Sequence, residues 1–282
     1  MTEVRGLYVF LGTLYAIIDD TFYSVTDSGD TFTGLGTLNT STGYVFIQDN
    51  DIEIMVVDGT DGYLFDGGVF AEIADVDFPG ASCLAYQDGY FIVCRPDSDQ
   101  YYISALYDGT SWDALDFASA EGDPDIAISM ISDHRELWIF GADTTEVFYN
   151  SGATDFPFTR VPGAFIETGI SAAGSISKID STIIWLSNNR QIIQAVGYQP
   201  TIISTRQIEY QFSTYNTVTD AISYNYTQEG QSFYVLTFPT AKKTWVYDVS
   251  TKFWHERTSF PYGTWPNYDR HRSNCHAKYN NK

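Results

Sequence analysis

The stretch YFIVCRPDSDQYYISALYDGTSW, residues 90–112, decides the fold. It holds a short apolar strand (YFIVC, 90–94), a second strand running to Tyr107, a polar turn with Asp-Gly, and a closing aromatic, Trp112. The same module returns along the chain. Its turns begin at Tyr23 (YSVTDSGDTF), Phe65 (FDGGVF), Tyr107 (YDGTSW), Tyr149 (YNSGATDFPF), Val196 (VGYQPTI) and Tyr247 (YDVSTKFW), at spacings of 42, 42, 42, 47 and 51 residues. The apolar runs keep the same beat: 14–18, 52–57, 90–94, 137–140, 183–186 and 233–238. These runs are near-continuous and not clean alternations, so both faces of each strand should be buried. They are also too short for globular helices. A fixed period of about 40–45 residues with four strands per unit marks propeller blades. A β-sandwich also has frequent turns, but it has no reason to hold a 42-residue beat.

The expected fold is therefore all-β, a propeller of about six four-stranded blades, incomplete at its termini if the chain is a fragment. The propeller should cover residues 1–265, with units near 5–40, 41–80, 81–122, 123–170, 171–215 and 216–260. Residues 266–282 should form a C-terminal loop or partial strand. The turn DSGDTF at 27–32 resembles the Asp-box of sialidase-like propellers, with Asp27, Gly29 and Phe32 at the matching positions. In that motif the Asp caps the hairpin and the aromatic packs between blades, so the expected role is structural. The loop FPYGTWPNY (260–268) carries Tyr262, Trp265 and Tyr268. Aromatics gathered in a Pro- and Gly-containing loop point to burial against another surface.

Composition agrees with strands and tight turns: 44% hydrophobic, 16% aromatic and 22 glycines. Formal net charge is −21. Its distribution is uneven. Residues 1–150 hold 27 acids against Arg5, Arg95 and Arg135, whereas residues 151–282 hold 9 acids against 12 Lys and Arg. So acidic a half repels nucleic acid, and the near-neutral half can meet a partner. Duplex binding through a basic face is excluded as a role. Three cysteines (Cys83, Cys94, Cys275) are too few for a disulfide framework and fit a reduced interior such as a bacterial cytoplasm. The first residues read as mature structure and not as a signal peptide, and no apolar run approaches the roughly 18 residues of a membrane span.

The search for chemistry ends without a candidate. Thirty-six carboxylates make proximity of any two uninformative, although a glycosidase needs such a pair. A sialidase also needs three converging arginines, and the chain has nine in all. RHRSNCH (270–276) brings His271, Cys275 and His276 together but lacks a second ligand cluster at zinc spacing. No nucleophile elbow, phosphate loop or dinucleotide fingerprint occurs. The sequence is read as non-enzymatic, with no cofactor and no metal.

From about residue 125 the chain resembles a known family. DHRELWIFG (133–141), TTEVFYNSG (144–152), FPFTRVPGAFIETG (156–169), GQSFYVLTFPTAKKTWVYDVSTKFWHER (230–257) and RHRSNCHA (270–277) are similar to the packaged-DNA stabilisation, or tail accessory (hub), proteins of short-tailed phages. The likeness is close over 125–277 and weaker, in the same register, over 5–124. It implies a virion tail component, assembled in the host bacterial cytoplasm. Its subunits would form a ring, six by expectation, meeting the portal or adaptor and the tail needle or other tail proteins. Such a ring extends the portal channel, retains packaged DNA and lets DNA pass during ejection without sequence-specific contact. Family members are longer at both ends, which leaves the chain read as shorter than the family. The alternative is a stand-alone propeller that binds a glycan or a protein.

Overall fold

The computed structural model describes residues 3–26, 29, 31–120, 122, 125–259, 269–271 and 273–279. The fold is all-β, built from six four-stranded antiparallel propeller blades, each with its strands in sequential order. Blade 1 is β1 (Val4–Phe10), β2 (Thr13–Ile18), β3 (Thr21–Val25) and β4 (Phe32–Thr37); blade 2 is β5 (Phe46–Asp49), β6 (Ile54–Val57), β7 (Gly62–Phe65) and β8 (Phe70–Glu72). Blade 3 is β9 (Cys83–Gln87), β10 (Tyr90–Cys94), β11 (Gln100–Ala105) and β12 (Asp108–Ser119); blade 4 is β13 (Ala127–Asp133), β14 (Glu136–Gly141), β15 (Thr145–Asn150) and β16 (Phe158–Ile166). Blade 5 is β17 (Ser177–Ile179), β18 (Thr182–Leu186), β19 (Ile192–Val196) and β20 (Gln199–Ile202); blade 6 is β21 (Ile222–Gln228), β22 (Gln231–Phe238), β23 (Lys243–Asp248) and β24 (Phe253–Glu256). A last pair, β25 (Thr258–Ser259) and β26 (Asp269–Arg270), follows.

The chain divides into two compact units. The first runs to Glu167 and takes in the segment from Ala277, so it holds blades 1 to 4. The second is Thr168–His276, with blades 5 and 6.

The six apolar runs are the second strands of their blades, and the first unit shows why they are apolar on both faces. On β6, Ile54 and Val56 pack with Tyr15, Ile17 and Phe22 of blade 1. The alternate residues Met55 and Val57 pack with Leu84, Phe91 and Val93 of blade 3. On β10 the same division recurs, with Ile92 and Cys94 turned toward Leu137, Ile139 and Phe148 of blade 4. β6 and β10 thus have a blade on each side, so their period-2 alternation leaves little of either strand exposed. Aromatic rings tie blades 1 and 2 together: Phe22 lies 4.6 Å from Phe70 and 5.5 Å from Phe65.

The turns that open at Tyr23, Phe65, Tyr107, Tyr149, Val196 and Tyr247 all join third to fourth strands. The first-to-second turn of blade 3 is a tight one. Asp88 and Gly89 both have positive φ (50° and 94°), the two-residue turn that matches strand twist. A Cβ at Gly89 would sit 2.6 Å from Leu106 Cδ1.

The longer last two spacings have visible causes. A 3₁₀ turn (Ala173–Ser175) precedes β17. One α-helix, α1 (Arg206–Ser213), interrupts the passage from β20 to β21. Thr205 caps its N-terminus by accepting from Ile208 N. Arg190 closes its other end by donating from Nη1 to the carbonyls of Phe212 (3.0 Å) and Tyr215 (3.1 Å). Ile208 and Phe212, four residues apart and so on one helix face, are buried with Leu236 and Phe238 of blade 6.

Candidate functional site

Two features of the first unit stand out, its leading strands and its acidic loops. In the first unit the leading strands β1, β5, β9 and β13 lie side by side. Short polar side chains lace them together. Tyr8 Oη donates to Asp49 Oδ2 (2.5 Å), joining β1 to β5. Gln87 of β9 accepts from Ser132 Oγ of β13 (2.8 Å) and donates to the Arg135 carbonyl (2.8 Å). In the second unit Ser177 Oγ of β17 meets Ser223 Oγ of β21 at 3.0 Å. Asn225 Nδ2 donates to the Lys178 carbonyl. Burial, helped by Asp49, raises the Tyr8 phenol far above its ordinary range, so it stays a neutral donor. These polar groups are engaged with one another across neighbouring strands.

The acids have structural tasks. Many carboxylates accept backbone N–H groups, some in their own turns and some from distant segments. Asp66 takes Gly68 N (2.9 Å) and Val69 N (3.1 Å), and Asp75 takes Asp77 N (2.9 Å) and Trp112 N (3.0 Å). Asp125 takes Asp143 N and Thr144 N, and buried Glu53 takes Gly109 N at 2.6 Å. The amides of Val69 and Gly68, and of Asp77 and Trp112, lower the Asp66 and Asp75 pKa values, which keeps both ionised. Burial pushes Asp58 up, but amides of Asp61 and Thr60 and the hydroxyls of Thr40 and Thr60 outweigh it, and its pKa falls. Amide dipoles satisfy these oxygens without cancelling their formal charge. The field of the first unit therefore stays negative.

Self-repulsion of that kind destabilises the compact state and is screened by salt. Going from about 0.01 M to about 1 M NaCl shortens the Debye length from about 30 Å to about 3 Å. Thermal melting should then rise, by about 2–4 °C for each kcal/mol of repulsion removed. A melting point that falls with salt would mean that surface ion pairs dominate instead.

A cavity of about 310 Å³ opens in the first unit, lined by Glu53, Asp66, Glu72 and Asp75 with Leu64 and Val69 among its apolar walls. Its charged lining is carboxylate throughout, which disfavours an anionic ligand. Elsewhere a buried carboxylate pairs with a partly exposed cation: Arg160 Nε lies 2.7 Å from Glu146 Oε2, and Glu146 Oε1 takes Gly122 N at 2.7 Å.

Of the Asp-box-like residues, Gly29 has φ +74° and donates to the Thr26 carbonyl (2.8 Å). Phe32 opens β4, is 48% exposed, and meets Tyr23 of its own blade edge-on at 6.0 Å. Asp27 lies outside the described residues, as do Tyr262, Trp265 and Tyr268. The histidines are spread among separate tasks. His134 Nδ1 is 2.7 Å from Asp133, His271 Nδ1 is 3.0 Å from Ser259 Oγ, and His276 stacks on Tyr224. Burial, with Arg257 nearby, lowers the pKa of His255 and His271, so both are neutral at pH 7. Burial pushes the Cys275 thiol up to about 11. Among the described residues no group of three His, Cys, Asp or Glu side chains could hold a metal ion. No helix among them is long and apolar enough to cross a membrane.

Comparison with known proteins gives a family and a fold. The family model described as Phage_stabilise, Bacteriophage P22 Gp10, beta-propeller, matches residues 3–271. No curated protein matches the chain. Among solved structures, the chain is similar to PorZ, a bacterial surface component of the type-IX secretion system of Porphyromonas gingivalis. The identity is 8% and the TM-score 0.51, over 91% of this chain and 33% of that one. It is also similar to the extracellular domain of a protein assigned as a hybrid two-component system in B. thetaiotaomicron. There the identity is 9% and the TM-score 0.61, over 94% of this chain and 34% of that one. The chain thus spans about a third of the length of these two structures, and the likeness is one of fold alone.

Proposed function

The chain belongs to the Phage_stabilise family of Bacteriophage P22 Gp10 β-propellers, and from that premise we propose that it is a wall element of a phage tail hub that extends the portal channel and retains packaged DNA. Membership makes it a phage structural protein that associates with other virion proteins. The conduit role is our reading, and one observation carries it. Acids outnumber basic residues by 27 to 3 in residues 1–150, backbone amides hold Asp58, Asp66 and Asp75 ionised, and polar groups of neighbouring leading strands bond one another. A wall of this kind lets a polyanion slide past without gripping it. The acidic part faces the lumen or solvent, and the near-neutral part, richer in Lys and Arg, meets neighbouring copies, the portal or adaptor and other tail proteins. A ring of six copies is the expected arrangement. The chain performs no catalysis and needs no cofactor, and the Asp27–Phe32 turn and the 260–268 loop act as structural and interface elements. It works in the virion tail after assembly in the host cytoplasm.

Particles assembled without the chain should fill with DNA and then lose it. Nuclease-resistant DNA per particle is the readout, with restoration on adding back purified protein. Full retention in particles shown to lack the chain would refute the proposal. A stand-alone glycan- or protein-binding propeller would leave particle DNA untouched.

A further inference from the structure

Blade 3 holds a pair of thiols to which the conduit role gives no task. Cys83 and Cys94 face each other directly on β9 and β10, at the end of the hairpin that turns at Asp88–Gly89. Both are fully buried in one cluster with Ala85, Ile92 and Leu137. Directly opposed residues on antiparallel strands point to the same face, with Cα atoms about 4.5–5.5 Å apart. That span falls inside the roughly 4.4–6.8 Å that disulfides occupy. The register alone therefore sets the two thiols side by side on one face of the blade. Ser82, next in the chain, holds the Cys94 carbonyl with its Oγ at 3.2 Å. Cys275, the remaining cysteine, belongs to the second unit.

We infer that Cys83 and Cys94 are a redox modification site, which a peroxide converts to a cross-strand disulfide within the existing blade. One thiolate attacks the peroxide O–O bond, giving a sulfenic acid and releasing water once the proton is returned. The second thiol then displaces the sulfenic hydroxyl as water. In total two S–H bonds are lost and one S–S bond forms. Each sulfur gives up one electron, and the peroxide is reduced to two waters. Burial sets the pace: it raises the Cys94 thiol well above its ordinary value, with Cys83 adding to the effect, so the attacking thiolate is scarce. The site is slow, stays reduced in a reducing cytoplasm, and closes on exposure to oxidising surroundings. For a particle this would staple the leading hairpin of blade 3, a consequence that rests on the conduit reading. The chemistry itself does not.

The test uses the whole purified chain, with and without hydrogen peroxide, unfolded afterwards in an alkylating agent. The expected result is two fewer alkyl groups, a mass lower by two hydrogens, and a linked peptide carrying Cys83 and Cys94, with Cys275 still alkylated. Conversion should speed up as pH rises, and the oxidised chain should melt higher than the reduced one. Cys94→Ala, or Cys83→Ala if the first folds poorly, should abolish the linked peptide. Three alkylated thiols after treatment, oxidation of this pair to sulfinic acids, links running only through Cys275, or a disulfide that lowers the melting point would each overturn the inference. None of these outcomes bears on DNA retention, so the two readings fail separately.

Discussion

Phe212→Ala is expected to lower the unfolding free energy by about 3–5 kcal/mol, the usual range for a buried aromatic cut to alanine. Phe212 is fully buried and stands 4.9 Å from Phe238 and 6.0 Å from Tyr215, with Trp245 at 6.4 Å. The helix that carries it has eight residues, too few to persist in water without tertiary contacts. Losing the ring therefore leaves a cavity and releases the helix together. Denaturant unfolding followed by circular dichroism gives the free energy. Tyr210→Ala on the same helix is the control. Its side chain is 68% exposed, so a change within about 0.5 kcal/mol is expected. Equal effects of the two substitutions would mean that Phe212 does not anchor the helix.

Arg5→Ala comes next, with an expected loss of about 3 kcal/mol, near the upper end for hydrogen bonds made by a charged donor. The guanidinium is buried and reaches the carbonyls of Asp19, Thr40, Thr42 and Gly43 and the Thr40 hydroxyl, at 2.7–3.0 Å. Burial lowers its pKa, although Asp58 and other acids pull the other way, and arginine remains charged. Through these bonds Arg5 folds the segment between β4 and β5 against blade 1. Residues 41–44 are exposed, so water takes over some acceptors when the side chain goes, and this moderates the loss. Arg5→Lys should recover little, since an ammonium cannot span a planar fork of acceptors. Proteolytic cleavage within 39–44 should accelerate in both variants. If Arg5→Lys matched the parent chain, charge and not the fork would be what matters.

Much of this fold could be read from the sequence because a propeller buries its second strands on both faces. The strands 54–57 and 90–94 are apolar throughout since alternate residues serve different neighbours, and periodicity with turn chemistry locates them without homology. The drift of the beat to 47 and 51 residues was also visible, but its cause was not. Helix α1 carried a signal in Thr205 followed by Ile208 and Phe212, a cap and an apolar pair at i, i+4. A single eight-residue helix between strand runs is too short for periodicity to separate from a loop. Arg5 was conspicuous as one of three cations in an acidic half, yet its partners lie 14 to 38 residues away and are mostly backbone carbonyls, which leave no pattern in sequence. Beyond the Asp-box-like turn, the acids read in sequence as a field, and their role as turn caps is carried by short local patterns. Asp-Gly-Gly at 66–68 and Asp-Gly-Thr at 108–110 held that information.

The most direct test is to locate the chain in a density map of DNA-filled particles. The account predicts density for it at the tail base, continuous with the portal channel, with the carboxylates of residues 1–150 facing the lumen or solvent and the Lys- and Arg-richer part against neighbouring subunits. Particles that hold their DNA with no density for the chain, or a bore ringed by its lysines and arginines, would contradict it.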